Sequence, residues 1–350
     1  LSLFYFFKFF FVIFLPFVVE VYFRKVAALC RDPFPDYREK AEIRDESIKN
    51  INQPYNSEVV VAYEKTKILA EGLGFPEGPR WHEDRLWFSD FRTRKVMTLD
   101  MEGHLATVVE VNGQPSGLGW FPDGSLAIVS MVDRKLLRFH NKQLKTYTDL
   151  MGFASFHCND MVVDQNGRAY IGNFGFALYE EPFKPAEIVL VSQEGEVRIV
   201  AKDMAFPNGS VITPDGKTLI VAETLAARLT AFRIEADGSL TNRRVWAGFD
   251  DQGVLTAYER PKDRVVPDGI CLDSEGAIWV ASPNSNHEVL RVLEGGMISR
   301  RIRLENTPFA CMLGGPGRKT LFILTSSLTD FGEVGRIETL DVDVPGAGFP

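Results

Sequence analysis

Residues 72–90 read GLGFPEGPRWHEDRLWFSD, and the order of parts in this stretch decides the fold. A proline–x–glycine phrase comes first, followed by a short strand, a polar turn at 82–84 and a second apolar run, LWFSD. The phrase at Pro76-Glu77-Gly78 returns as Pro115-Ser116-Gly117, Pro207-Asn208-Gly209 and Pro267-Asp268-Gly269. Altered copies stand at Cys158-Asn159-Asp160 and Pro308-Phe309-Ala310. Turn sequences recur behind it: FPDG at 121–124, DQNG at 164–167, TPDG at 213–216, DSEG at 273–276 and GPGR at 315–318. Their Gly, Pro, Asn and Asp content is that of hairpin turns. The second runs are LAIVS, AYIGN, LIVAE, IWVAS and LFILT. Continuous apolar runs of this length are expected of strands covered on both faces.

The copies begin near residues 76, 115, 158, 207, 267 and 308. A period of about 40–50 residues with about four strands is that of a β-propeller blade. The reading is an all-β, six-bladed β-propeller over residues 58–345. Helical solenoids are excluded because the copies are strand-like and punctuated by glycine. Strand-like sequence at 59–72 and at 335–343 predicts that both ends of the propeller complete the last blade and remove its open edge. Two excursions interrupt the period, FALYEEPFKPAE at 176–187 and DDQGVLTAYERPKDRVV at 250–266. Long loops in compact domains are usually functional or disordered, so these are expected at a pocket rim or lid.

The remainder of the chain differs in texture. Residues 1–23 are almost wholly apolar and approach the length of a membrane span. Two readings stay open for them, an N-terminal anchor and sequence from an upstream start. Residues 24–57 carry mixed charge and read as a polar linker, with one short helix around 37–50. The propeller is placed in the cytoplasm by default, and at a membrane where 1–23 is a genuine anchor. The net charge of −8, without a basic run, argues against nucleic acid as a partner. The four cysteines form no C-x-x-C pair and read as free buried thiols. No H-E-x-x-H occurs, which argues against a zinc enzyme, and no G-x-S-x-G supports a serine nucleophile.

In a propeller, equivalent positions of all blades stand at one height around the axis. The variable letters of the phrase are then a ring at the mouth of the central channel: Glu77, Ser116, Asn159, Asn208, Asp268 and Phe309. Two carboxylates, two amides and a hydroxyl, without sulfur or imidazole, suit a hard divalent cation. Calcium takes six to eight such oxygens, whereas magnesium prefers a tighter octahedron.

Four stretches carry a family resemblance: 72–90 above, HCNDMVVDQNGRAYIGNFG at 157–175, FPNGSVITPDGKTLIVAET at 206–224 and VPDGICLDSEGAIWVAS at 266–282. In these the chain resembles the senescence marker protein, gluconolactonase and luciferin-regenerating enzyme family of six-bladed propellers, over roughly residues 65–343. The resemblance implies one catalytic divalent cation, usually calcium, and hydrolysis of lactones or related esters. It places metal ligands at Glu77, Asn208 and Asp268, and an amide touching metal or substrate at Asn159. A sugar-binding Arg of the animal branch falls on His157, which puts aldonolactone specificity in doubt. The expected mechanism has the cation polarising the carbonyl and Asp268 as general base for water. Asn159, His157 and Ser116 would contact a small lactone or ester substrate. Two alternatives are an organophosphate or aryl-ester hydrolase on the same scaffold, and a non-catalytic propeller held together by calcium.

Overall fold

The computed structural model describes residues 61–62, 64–178, 180–255 and 264–348. The segments expected at 1–23 and 24–57, with the short helix at 37–50, lie outside the described residues, as does 256–263 of the second excursion.

Six antiparallel sheets follow one another along the chain. The first blade holds Pro76–His82, Arg85–Asp90, Lys95–Leu99 and Leu105–Glu110 in spatial order. The first strands of the blades are Pro76–His82, Pro115–Trp120, Cys158–Val163, Pro207–Ile212, Ile270–Leu272 and Thr307–Gly314. Each touches the next, and the last touches the first, so they form a closed ring about one axis. The all-β, six-bladed propeller read from the repeat is the observed fold.

Closure follows the expected plan. The sixth blade takes Thr307–Gly314, Thr320–Ser326 and Gly335–Asp341 from one end of the propeller. Its outer strand, Lys67–Leu73, comes from the other end and pairs antiparallel with Gly335–Asp341. Ala70 and Leu73 of this strand are buried while Lys67 and Ile68 are exposed, and two register shifts against Gly335–Asp341 replace strict alternation by a spacing of three. A feature not legible in the repeat is Val61–Ala62, which adds to the fifth blade parallel to Ile298–Arg303.

The core lies in layers between blades. One cluster joins Val96, Leu118, Leu126 and Ile128 of the first two blades, and another joins Val129, Met161, Ile171 and Val189 of the second and third. The second strands sit inside these layers: Leu126–Ser130, Ala169–Asn173 and Ile278–Ser282 are buried at every residue. That is why their sequences show no polar alternation.

The end of the chain docks across the far end of the ring. Ala347 N donates to Leu272 O at 2.8 Å, and Arg318 Nη2 donates to Ala347 O at 3.2 Å. Among the described residues no helix is long and apolar enough to cross a membrane.

Candidate active site

The phrase interrupts the ladder of each first strand. Pro76 pairs with Asp90, Pro115 with Ser130, Cys158 with Asn173 and Pro207 with Glu223; the register shifts directly after Pro115, Cys158 and Pro207, and in the first blade after Glu77, which still pairs with Ser89. The sixth blade shifts between Pro308 and Ala310. An extra residue in one strand breaks the alternation and re-aims a side chain. The shift spans the variable letter and the residue after it in blades two, three and four, falls on Phe309 in blade six, and begins just after Glu77 in blade one. The glycine behind the variable letter has a second duty, because neighbouring first strands nearly touch there. A Cβ on Gly117 would stand 2.3 Å from Met161 N, and one on Gly209 would stand 2.5 Å from Asp268 O. The phrase is therefore a bulge that turns a side chain and a glycine that lets the ring close.

The structure brings the predicted letters together. Ser116 Oγ donates to Asn159 Oδ1 at 3.4 Å, joining blades two and three. The Asn208 side chain acts on the Asp268 carboxyl, lowering its pKa, and so brings blades four and five together. Asp268 is felt electrostatically by Glu77 of blade one. Asn208 and Asp268 are buried, while Glu77 and Asn159 are half-buried. Phe309, the sixth letter, is buried against Phe75 with ring centroids 4.4 Å apart. His157 stands two residues before Asn159, stacked on Phe156 at 4.1 Å. Burial, and Arg134 nearby, lower its pKa, so the imidazole is neutral at pH 7.

Three residues of the site were not legible as such in the sequence. Asp160 occupies the glycine position of the third phrase and is buried. Arg80, two residues after the first phrase, pairs with its Oδ1 at 3.3 Å and also donates to Met161 O. Thr224 opens the short 3-10 turn directly after the second strand of blade four, Thr218–Glu223. Its Oγ1 accepts from Asn208 Nδ2 at 3.1 Å and donates to Pro267 O at 2.8 Å. Asp160 could have been found as the one charged letter where the other phrases have Gly or Ala.

These carboxyls are held in an unusual state. Burial, with Asp268 and then Asp160 adding repulsion, raises the Glu77 pKa well above the carboxylate range against a bond from Gly78 N. Burial likewise pushes Asp268 up to about 8, the Asn208 side chain opposing and Asp160 adding to the rise. Burial raises Asp160 too, with Arg80 opposing. Elsewhere several buried acids of the blades carry arginines, Asp164–Arg168 at 2.7 Å, Glu223–Arg228 at 2.8 Å and Asp273–Arg291 at 2.7 Å, while Asp90 accepts from the backbone of Gly74 and Phe75. Among the described residues Glu77 and Asp268 make no such pair. A buried carboxylate without a cation is costly. Three carboxylates against one guanidinium leave two negative charges when all are ionised, so the donor set fits a divalent cation.

Another group of close-set potential ligands is Asp100, Glu102 and His104. It lies on the turn behind Lys95–Leu99, at the end of the blade opposite the phrase. Asp100 Oδ1 there accepts from the backbone of Glu102 at 3.0 Å and of His104 at 2.9 Å, so the group is a hydrogen-bonded turn.

Both excursions lie at the phrase end of the ring. Phe176 of the first and Leu255 of the second are buried in one cluster with Phe206 and Leu225, against which Phe174 and Val266 pack. Their described residues thus form an apolar wall beside blades three and four, on the side where a rim was expected. A cleft of about 470 Å³ opens at the first excursion, lined by Phe156, Phe176 and Lys184 among others.

Residues 75–327 match a family model described as the SMP-30/Gluconolactonase/LRE-like region. Pentonolactonase XacC of Haloferax volcanii is 23% identical, over 81% of this chain and 92% of that protein. Regucalcin of Gallus gallus is 23% identical, over 72% and 83%. A crystal structure of a calcium-binding protein, regucalcin, from Agrobacterium tumefaciens superposes with a TM-score of 0.67 at 20% identity, covering 82% of this chain and 96% of that one. That likeness shows the fold.

Proposed function

The chain belongs to the SMP-30/gluconolactonase/LRE-like family, and from that premise we propose that it is a hydrolase opening lactones with a bound divalent cation, calcium first. One observation carries the reading. Oxygen-bearing side chains from five blades occupy one repeat position around the axis, and two of them are carboxylates without a basic partner. The similarity to a pentonolactonase supports the reaction class, and the similarity to a calcium-binding protein supports the ion.

Glu77, Asn208 and Asp268 would hold the cation, with Asn159 as a shared contact. The Asn208 amide nitrogen donates to Thr224 Oγ1 at 3.1 Å, which leaves its oxygen as the donor to a cation. A cation held there supplies Lewis-acid polarisation of an ester carbonyl, worth several kcal/mol of charge stabilisation. Asp268 takes the proton of the attacking water, as a carboxylate beside the reacting carbon. Asn159 orients the substrate by hydrogen bonding, with its oxygen fixed by Ser116. His157 is neutral and contacts the substrate without opposing the cation's charge.

Chelation by EGTA is expected to abolish hydrolysis of γ- and δ-lactones, and calcium to restore it. Asp268→Ala is expected to lower kcat by about 10²–10⁴-fold, the range of a general base. Asp268→Asn keeps the shape and loses the charge, and should fall as far. Full activity after chelation, or an unchanged kcat in Asp268→Ala, would remove the corresponding role. The same panel with aryl esters and organophosphates separates a lactonase from a hydrolase of those substrates.

A further inference from the structure

The donor ring is polar and its surround is aromatic. Phe309 fills the ring position that no oxygen occupies, packed on Phe75 at 4.4 Å. Across the mouth, His157 lies between Phe156 at 4.1 Å and Phe174 at 6.2 Å, and Phe174 meets Phe206 at 4.7 Å. Phe75, His157 and Phe206 each immediately precede the phrase of their blade. The repeat therefore sets an aromatic ring two residues before each of Glu77, Asn159 and Asn208. Phe156, His157 and Phe174 are half-buried, so part of each ring is exposed. Phe174 and Phe206 pack into one cluster with Phe176 and Leu255 of the two excursions.

A polyhydroxylated lactone needs several hydrogen-bonding groups besides those around the reacting carbonyl, and a site built for hydroxyls would present them. The cations around this surface already have partners: Arg80 is paired with Asp160, and Lys184 with Glu181 at 3.1 Å. Arg92 lies over Phe75 at 4.9 Å and donates to the carbonyls of Gly74, Ser327 and Asp330. Arg134 donates to Ala154 O at 3.1 Å.

We infer that the substrate is a lactone whose ring bears an apolar alkyl or aryl substituent, which lies along Phe156, His157 and Phe174 while the ester carbonyl faces the donor ring. This rests on the hydrolase reading for the reaction and on the aromatic surface for the substituent.

The test compares γ-butyrolactone, γ-octalactone, γ-decalactone and D-glucono-1,5-lactone with the full chain in calcium. Each methylene buried should multiply kcat/KM by about fourfold until the surface is covered. γ-Decalactone should then exceed γ-butyrolactone by at least about a hundredfold, with gluconolactone lowest. Phe174→Ala should lower the decalactone-to-butyrolactone ratio by about tenfold. The ratio is internal to each protein, so partial unfolding leaves it unmoved, and Phe156→Ala gives a second reading where Phe174→Ala does not fold. A flat series, or gluconolactone as the best substrate, overturns the inference and leaves the hydrolase reading intact. Binding is measured in parallel with γ-decanolactam and 2-pyrrolidinone by titration calorimetry. Tighter binding of the decanolactam by about tenfold or more upholds the apolar site even where no lactone is opened, in which case the hydrolase reading alone fails. Equal or absent binding overturns the inference.

Discussion

Thr224 shows how much of the site depends on residues that touch no ligand. Its hydroxyl holds the Asn208 amide and the carbonyl of Pro267, the residue before Asp268. One oxygen thus sets two of the three expected ligands across a blade boundary. Groups that orient ligands typically change metal affinity by 10- to 100-fold when removed. Thr224→Val keeps the volume and removes the hydroxyl, leaving the Asn208 amide short of an acceptor. The calcium Kd measured by calorimetry is expected to weaken by at least about tenfold, and Thr224→Ser to recover most of it. An unchanged Kd in Thr224→Val would mean that Asn208 is positioned without it. Ser89 plays the same part on blade one, donating to the Ser116 carbonyl at 2.6 Å.

At the scale of elements, the outer strand Lys67–Leu73 bears the closure of the ring. Leu73 is 3% exposed within the cluster shared by blades five, six and one, whereas Ile68 on the same strand is 46% exposed. Leu73→Asp would bury an unpaired carboxylate and should cost more than about 3 kcal/mol in urea unfolding. Ile68→Thr should stay within about 0.5 kcal/mol. Equal, small effects would show that the ring holds without this strand. The blades were legible because the strands repeat: LAIVS and IWVAS can only be double-covered, and the phrase returns at each first strand. The gathering of the phrase's variable side chains was legible for the same reason, since one repeat position maps to one height. What did not repeat did not show. Arg80–Asp160 is a single pairing between blades one and three, and nothing in either local sequence names its partner. Val61–Ala62 lengthens only the fifth blade. The aromatic collar depends on which Phe rings meet across loops, a matter of tertiary distance rather than of pattern.

The whole molecule sets the last question, whether a cation at the ring would act on a substrate or only tie blades together. Glu77, Asn208 and Asp268 belong to blades one, four and five, so a cation held by them bridges the ring and must also stabilise it. Binding to the native state alone raises stability by about 2.7 kcal/mol at a hundredfold excess over Kd. Calcium is accordingly expected to raise Tm, and Asp268→Asn to lose most of that increment. A stabilising ion complicates any activity lost on chelation, because unfolding also abolishes activity. The two effects separate by temperature. The metal-free protein is brought well below its own Tm, its fold checked by circular dichroism, and lactone opening is measured there. Folded, metal-free protein without activity, restored on adding calcium at the same temperature, is the outcome expected of a catalytic ion. Full activity of the folded metal-free protein would leave the ion as a tie between blades, and the chemistry would then have to come from Asp268, Asn159 and His157 alone.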